Sequence, residues 1–232
     1  MRKQDIKATL DRHRRWLESD GEEGSRLNLQ GAHLSRIDLN GVDLRQADLR
    51  WVDLRRAKLE DAQLRSANLH GANMQKANLR GADLAEADLS LVEAHGATFN
   101  GADLSGASGK GADFSQADLQ EGNLSHATFS GAGFAAADLR GANLSDANLR
   151  GADFHESILA GANFEGANLE AANLFGAKEL LVSQLTNAET LFRAQLESDL
   201  RTDIMIEHVE LFDPPPTTDV SPLDSDPATS DH

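Results

Sequence analysis

The chain has 232 residues, 40% of them hydrophobic, and its 38 acidic against 22 basic side chains give a net charge of −16. That balance argues against ordinary binding to a phosphate backbone, while the apolar share is enough for a real core. With no Cys, the sequence excludes disulfide staples, thiolate metal sites and a Cys nucleophile, and it fits a reducing, cytoplasmic setting.

The chain opens on MRKQDIKATLDRHRRWLE, which has no apolar run between its charges, and no stretch of 18 apolar residues occurs anywhere. Neither a signal peptide nor a membrane span is expected. Ile6, Leu10, His13 and Leu17 lie at helical spacing with arginines on the other face, which predicts a helix and a short linker over 1–24.

From residue 25 a period of five takes over. Thirty centres run from Leu29 to Leu174 without insertion or deletion, and 28 are Leu, Phe or Met; Ala94 and Gly109 are the exceptions. Two places ahead of each centre, Ala fills 24 of 31 positions. Five residues advance an α-helix by about 500°, so the Leu series would wander around the cylinder. In a strand an odd spacing throws successive centres onto opposite faces. One core results only if the chain turns once per repeat in a constant sense and coils into a narrow tube. Gly at 131, 141, 151 and 161 suits the turns.

Stretches such as GANLRGADLAEADLS and GANFEGANLEAANLF resemble the pentapeptide-repeat family. The resemblance covers 25–177 and implies an all-β fold, a right-handed quadrilateral β-helix in which four pentapeptides make a coil and residues twenty apart stack. Thirty centres then give about 7.5 coils and, at ~4.8 Å per rung, a tube ~36 Å long. Leu34, Leu54, Met74, Ala94, Phe114, Phe134 and Phe154 fall in one inner column, the last three an expected aromatic stack. Ala94 and Gly109 sit on adjacent sides, marking either a bend or a packing defect filled by a neighbouring Phe.

A solenoid exposes unpaired edges at both ends, so the N-terminal helix reads as a cap. Residues 178–212 read as two or three helices closing the other end, and dimerisation through them is open. The Pro-, Asp- and Ser-rich stretch 213–232 is expected to be a disordered acidic tail. Acidity is confined to the second half: 101–177 has 3 basic and 10 acidic residues, 178–232 has 3 and 12, whereas 1–24 and 25–100 balance.

No catalytic, cofactor or metal site emerges. Ser105, Ser125 and Ser145 form a column without a His–carboxylate relay. His95 and His155 share a column but lie ~14 Å apart, and His13, His33, His70, His126 and His208 lack partners at ligand spacing. Two surfaces compete as interaction sites. Trp51 and Leu91 fall on outward turns of one column, separated by Gly71, with Arg50, Arg55 and Arg56 nearby, the composition of a protein-binding hot spot. Alternatively, Asp83 stacks on Asp103 and Asp118 on Asp138, a candidate imitation of DNA phosphates; family members such as the quinolone-resistance proteins bind DNA gyrase as DNA mimics. Short polar side chains bonding their own turn backbone explain the same aspartates. The first half, studded with Arg45, Arg50, Arg55, Arg56, Arg65 and Arg80, is a poor copy of a negative rod. The sequence is therefore read as a non-enzymatic, cytoplasmic scaffold or protein-binding module, with gyrase mimicry as the alternative and no direct nucleic-acid or membrane partner expected.

Overall fold

The computed structural model describes residues 3–215. Over the repeats, parallel bridges join each Asp/Asn position to the one twenty residues on, from Asn28↔Asp48 through Ile158↔Lys178. The pairing is regular: Leu29 N–H donates to Asp48 C=O at 2.8 Å, and Asp48 N–H donates to Leu27 C=O at 2.9 Å, a pattern repeated up the tube. Each side contributes one bridged residue, so the ladders consist of single bridges and no continuous strand forms. The physical reason is the short side. Of every five residues two form the corner, where the N–H three places after the centre closes the turn onto the centre's carbonyl, as Ala32 does on Leu29 at 3.0 Å.

Position two after the centre has positive φ at every corner from Gly31 to Gly176, between 54° and 73°. About half of these residues are Gly; the others, Trp51 and Leu91 among them, hold a conformation that costs an L-residue roughly 1–2 kcal/mol. The centres are buried throughout the tube, as are the positions two ahead of them apart from Ala32, Ile37, Val42 and Ala177 near its ends, which are partly buried. Gly109 keeps its rung, its N–H bonding Thr128 C=O at 2.8 Å, and the Phe129 ring fills the space a Cβ there would need. Ala94 likewise bonds Asp113 C=O at 2.7 Å. Gly109 thus marks a packing defect filled by a neighbouring Phe, and the rung is kept at both weak centres. Phe114, Phe134 and Phe154 stack face to face at 5.4 and 5.0 Å, with Phe99, Phe129 and Phe164 packed edge-on around them.

Helix α1, Lys3–Glu18, lies across the first coil. Ile6 and Leu10 pack near Ile37, Leu39 and Val42. Here Ile37 and Val42 stand two ahead of their centres, where most of the tube has Ala. His13 is fully buried and ties helix to tube: Leu27 N–H donates to its Nδ1 at 3.0 Å and its Nε2 meets Arg45 C=O at 3.1 Å. Gly24 has φ 76°, and a Cβ there would collide with the Arg12 carbonyl, so only glycine fits.

The other end departs from an all-helical closure. After a short turn of helix, α2 (Val182–Leu185), residues 187–195 continue the ladder, bridging Asn168↔Thr190 and Asn173↔Gln195 at a spacing of 22. A 10-residue helix, α3 (Ser198–Glu207), and a 3-10 turn, Val209–Phe212, cover that last rung and bury Ile204 and Leu211. The Gln184 amide donates to the carbonyls of Leu159 and Ala162 at 2.7 and 2.8 Å, the Leu159 carbonyl also accepting the turn N–H of Ala162 at 3.0 Å. The expected acidic tail, 213–232, lies outside the described residues from 216 onward.

Candidate functional site

Trp51 and Leu91 stand on one corner of the tube, 54% and 52% exposed. At corners a side chain lies over the residue twenty places later when that residue is Gly. The Trp51 ring covers Gly71 so closely that a Cβ at Gly71 would collide with it, and Leu91 reaches over Gly111. The His70 ring meets Trp51 edge-on at 5.1 Å. The result is a rigid apolar ridge, Trp51–Gly71–Leu91–Gly111, with each large side chain flattened along the tube.

The arginines expected beside Trp51 divide into two kinds. In Asp-Leu-Arg runs the two polar side chains lie on the same side of the centre and pair as a fork: Arg50 with Asp48 at 2.8 and 2.6 Å, Arg55 with Asp53 at 2.9 and 2.8 Å, and Arg45 with Asp43 at 3.0 and 2.7 Å. The Arg55 fork holds the Asp53 carboxyl down at about 2, and Arg50 lowers Asp48 in the same way. These cations are therefore neutralised within the tube. Arg56 differs: it occupies the next corner, with Arg36 twenty residues before and Lys76 twenty after, and none of the three meets a carboxylate among the described residues. Arg36, Arg55, Arg56 and Lys76 line one open cleft with Ser35 and Gln75.

The acidic columns stack as the period dictates, Asp83↔Asp103 and Asp118↔Asp138. Their charge is largely engaged. Each accepts an N–H from its own turn: Ala85 on Asp83 and Ser105 on Asp103 at 3.0 Å, Gln120 on Asp118 at 3.1 Å, and Arg140 on Asp138 at 3.2 Å. Arg140 also forks onto Asp138 and lowers its pKa, Arg65 lies 3.6 Å from Asp83, and the Asn123 amide donates to Asp103 at 3.0 Å.

Residue-by-residue reading missed Arg36, Lys76, His70 and the Asp-Leu-Arg forks. The period of twenty could have found the first two, and Asp and Arg two apart the last. Among the described residues no three His, Asp or Glu side chains gather so as to hold a metal ion, and no helix is long and apolar enough to cross a membrane.

A comparison with curated proteins gives no match. Among solved structures the chain is similar to full-length QnrB1, a plasmid-mediated fluoroquinolone resistance protein, at 19% identity over 78% of this chain and 96% of that one, TM-score 0.38. It is also similar to HetL, a pentapeptide repeat protein involved in heterocyst differentiation regulation from Nostoc sp. strain PCC 7120, at 30% identity over 78% and 92%, TM-score 0.31. A third is a pentapeptide repeat protein from the Arabidopsis thaliana thylakoid lumen, at 29% identity over 61% and 71%, TM-score 0.23. The family described as Pentapeptide repeats matches in 8 copies across residues 25–61, 62–101, 95–131, 110–146 and 137–176. With that match spanning the same residues that form the bridged tube, the chain belongs to the pentapeptide-repeat family.

Proposed function

We propose that this protein is a non-enzymatic scaffold whose β-helix, read as right-handed with about 7.5 coils from its thirty centres, presents a protein-binding surface on its N-terminal half. The observation that carries the reading is the ridge of Trp51 and Leu91. Two large apolar side chains are half exposed on corners of positive φ, a conformation that many equivalent corners reach without strain by using Gly. Rigid aromatic and aliphatic groups that lose little entropy on contact are what interface hot spots are made of. A surface imitating DNA fits less well, since Asp138 is forked by Arg140 and the N-terminal half is charge-balanced.

The test is a pull-down from the native host with the intact protein, comparing wild type with Trp51→Gly/Leu91→Gly. Glycine suits both corners, so the fold should persist while the partner is lost. Retention of every partner by the double variant would refute the ridge. Micromolar inhibition of DNA gyrase by wild type, abolished by Asp118→Asn/Asp138→Asn and untouched by Trp51→Gly, would replace this reading with mimicry.

A further inference from the structure

The charged ends of the column Arg36–Arg56–Lys76 make no ion pair among the described residues, although the Lys76 stem lies over Gly96. Its members sit one per coil at ~4.8 Å intervals, where like charges repel. All three have positive φ, 61°, 57° and 58°, at corners where Gly would relieve both strain and repulsion. All three are exposed, and none is paired among the described residues, although most arginines of the neighbouring repeats are. The nearby carboxylates are already engaged: Asp53 by Arg55, and Glu93 by the amides of Asn73 and Gln75 at 2.6 and 3.0 Å. Counting these two acids against Arg36, Arg55, Arg56 and Lys76 leaves the cleft with a positive excess on a chain of net charge −16.

We infer that this cleft docks a short acidic segment of a partner protein. The inference rests on the protein-binding reading above and gives the partner its chemistry. Three rungs span only ~10 Å, the reach of three or four extended residues. A nucleic acid, whose charge continues beyond that span, would run onto the half of the tube that carries 10 acidic against 3 basic residues. A local cluster of carboxylates satisfies the column without meeting that field. Apolar residues beside the cluster would reach the Trp51–Leu91 ridge on the adjacent corner.

The probe is a fluorescein-labelled peptide with four consecutive glutamates between neutral Gly-Gly flanks, titrated with the full chain in low salt and followed by anisotropy. Arg36→Gly/Arg56→Gly/Lys76→Gly keeps the corner conformation and should weaken binding about tenfold or more, with an unchanged circular dichroism spectrum. Arg80→Ala/Lys110→Ala/Arg150→Ala removes three positive charges from positions one after the centre elsewhere on the tube and should leave binding within about twofold. No binding by wild type, or an equal loss in both triple variants, would overturn the proposal. So would tighter column-dependent binding of an eight-nucleotide single strand. Because the peptide contains nothing for the ridge to hold, these outcomes leave the Trp51 pull-down as an independent test of the protein-binding ridge.

Discussion

Lowering the pH should release α1 from the tube by protonating His13. The ring is fully buried, and both nitrogens are committed: Nδ1 accepts from Leu27 N–H at 3.0 Å, which leaves Nε2 to donate to Arg45 C=O at 3.1 Å. A second proton would point at a donor. Burial pushes the pKa below the usual histidine range, and Arg26 and Arg45 push the same way, against the Arg45 carbonyl and the Asp43 carboxylate; the Trp16 ring stacks alongside at 5.8 Å. The sign follows: the unfolded chain takes up the proton as pH falls below about 6.5, the native cap does not, so stability is full above that value and declines below it by up to ~1.4 kcal/mol per pH unit. Removing the ring should act at every pH. His13→Ala leaves two buried backbone groups unpaired at about 1–3 kcal/mol each, partly offset by water entering at the tube end, for a net loss of roughly 2–5 kcal/mol. His13→Asn retains an acceptor and should fall between. The assay is hydrogen exchange at the Leu27 amide from pH 8 to 5, corrected for intrinsic exchange, with limited proteolysis after the arginines of α1 as a second readout. Protection that changes with pH equally in wild type and His13→Asn would refute the latch.

Two further substitutions probe the core. Gly109→Leu should destabilise by about 1–3 kcal/mol through collision with Phe129, and Phe129→Leu in the same chain should recover most of that loss by restoring the regular motif; thermal unfolding that shows no recovery would argue that Phe129 does not occupy the Gly109 space. Leu124→Asp buries an unpaired charge and should abolish soluble expression or cost more than about 4 kcal/mol, whereas Ser125→Asp on the corner should shift stability by no more than about 0.5 kcal/mol. Equal melting temperatures for this pair would overturn the inward/outward register.

The period of five determined a tube that turns once per repeat with each centre facing inward. That four repeats make a coil came from the resemblance to the pentapeptide-repeat family, and with that spacing of twenty came the Phe114–Phe134–Phe154 stack and the Asp83–Asp103 and Asp118–Asp138 columns. The helical spacing of Ile6, Leu10, His13 and Leu17 likewise predicted α1. What the sequence left open concerns contacts that no repeat specifies. Whether Gly109 bends the tube depended on a ring rotating into its space from the next coil. At the C-terminal end Leu191, Ala194 and Leu196 keep the five-residue spacing, but two extra residues after Leu174 put them out of register with the array, and the spacing of 22 in the bridges revealed that they form another rung. Charge shows the difference most clearly. In sequence Arg55 and Arg56 are equivalent neighbours. In the folded tube one turns back along the side to fork Asp53, two residues before it, while the other stands at the corner with Arg36 and Lys76 twenty residues to either side and meets no carboxylate among the described residues, because stacking aligns positions twenty apart and this column carries only cations over those three coils.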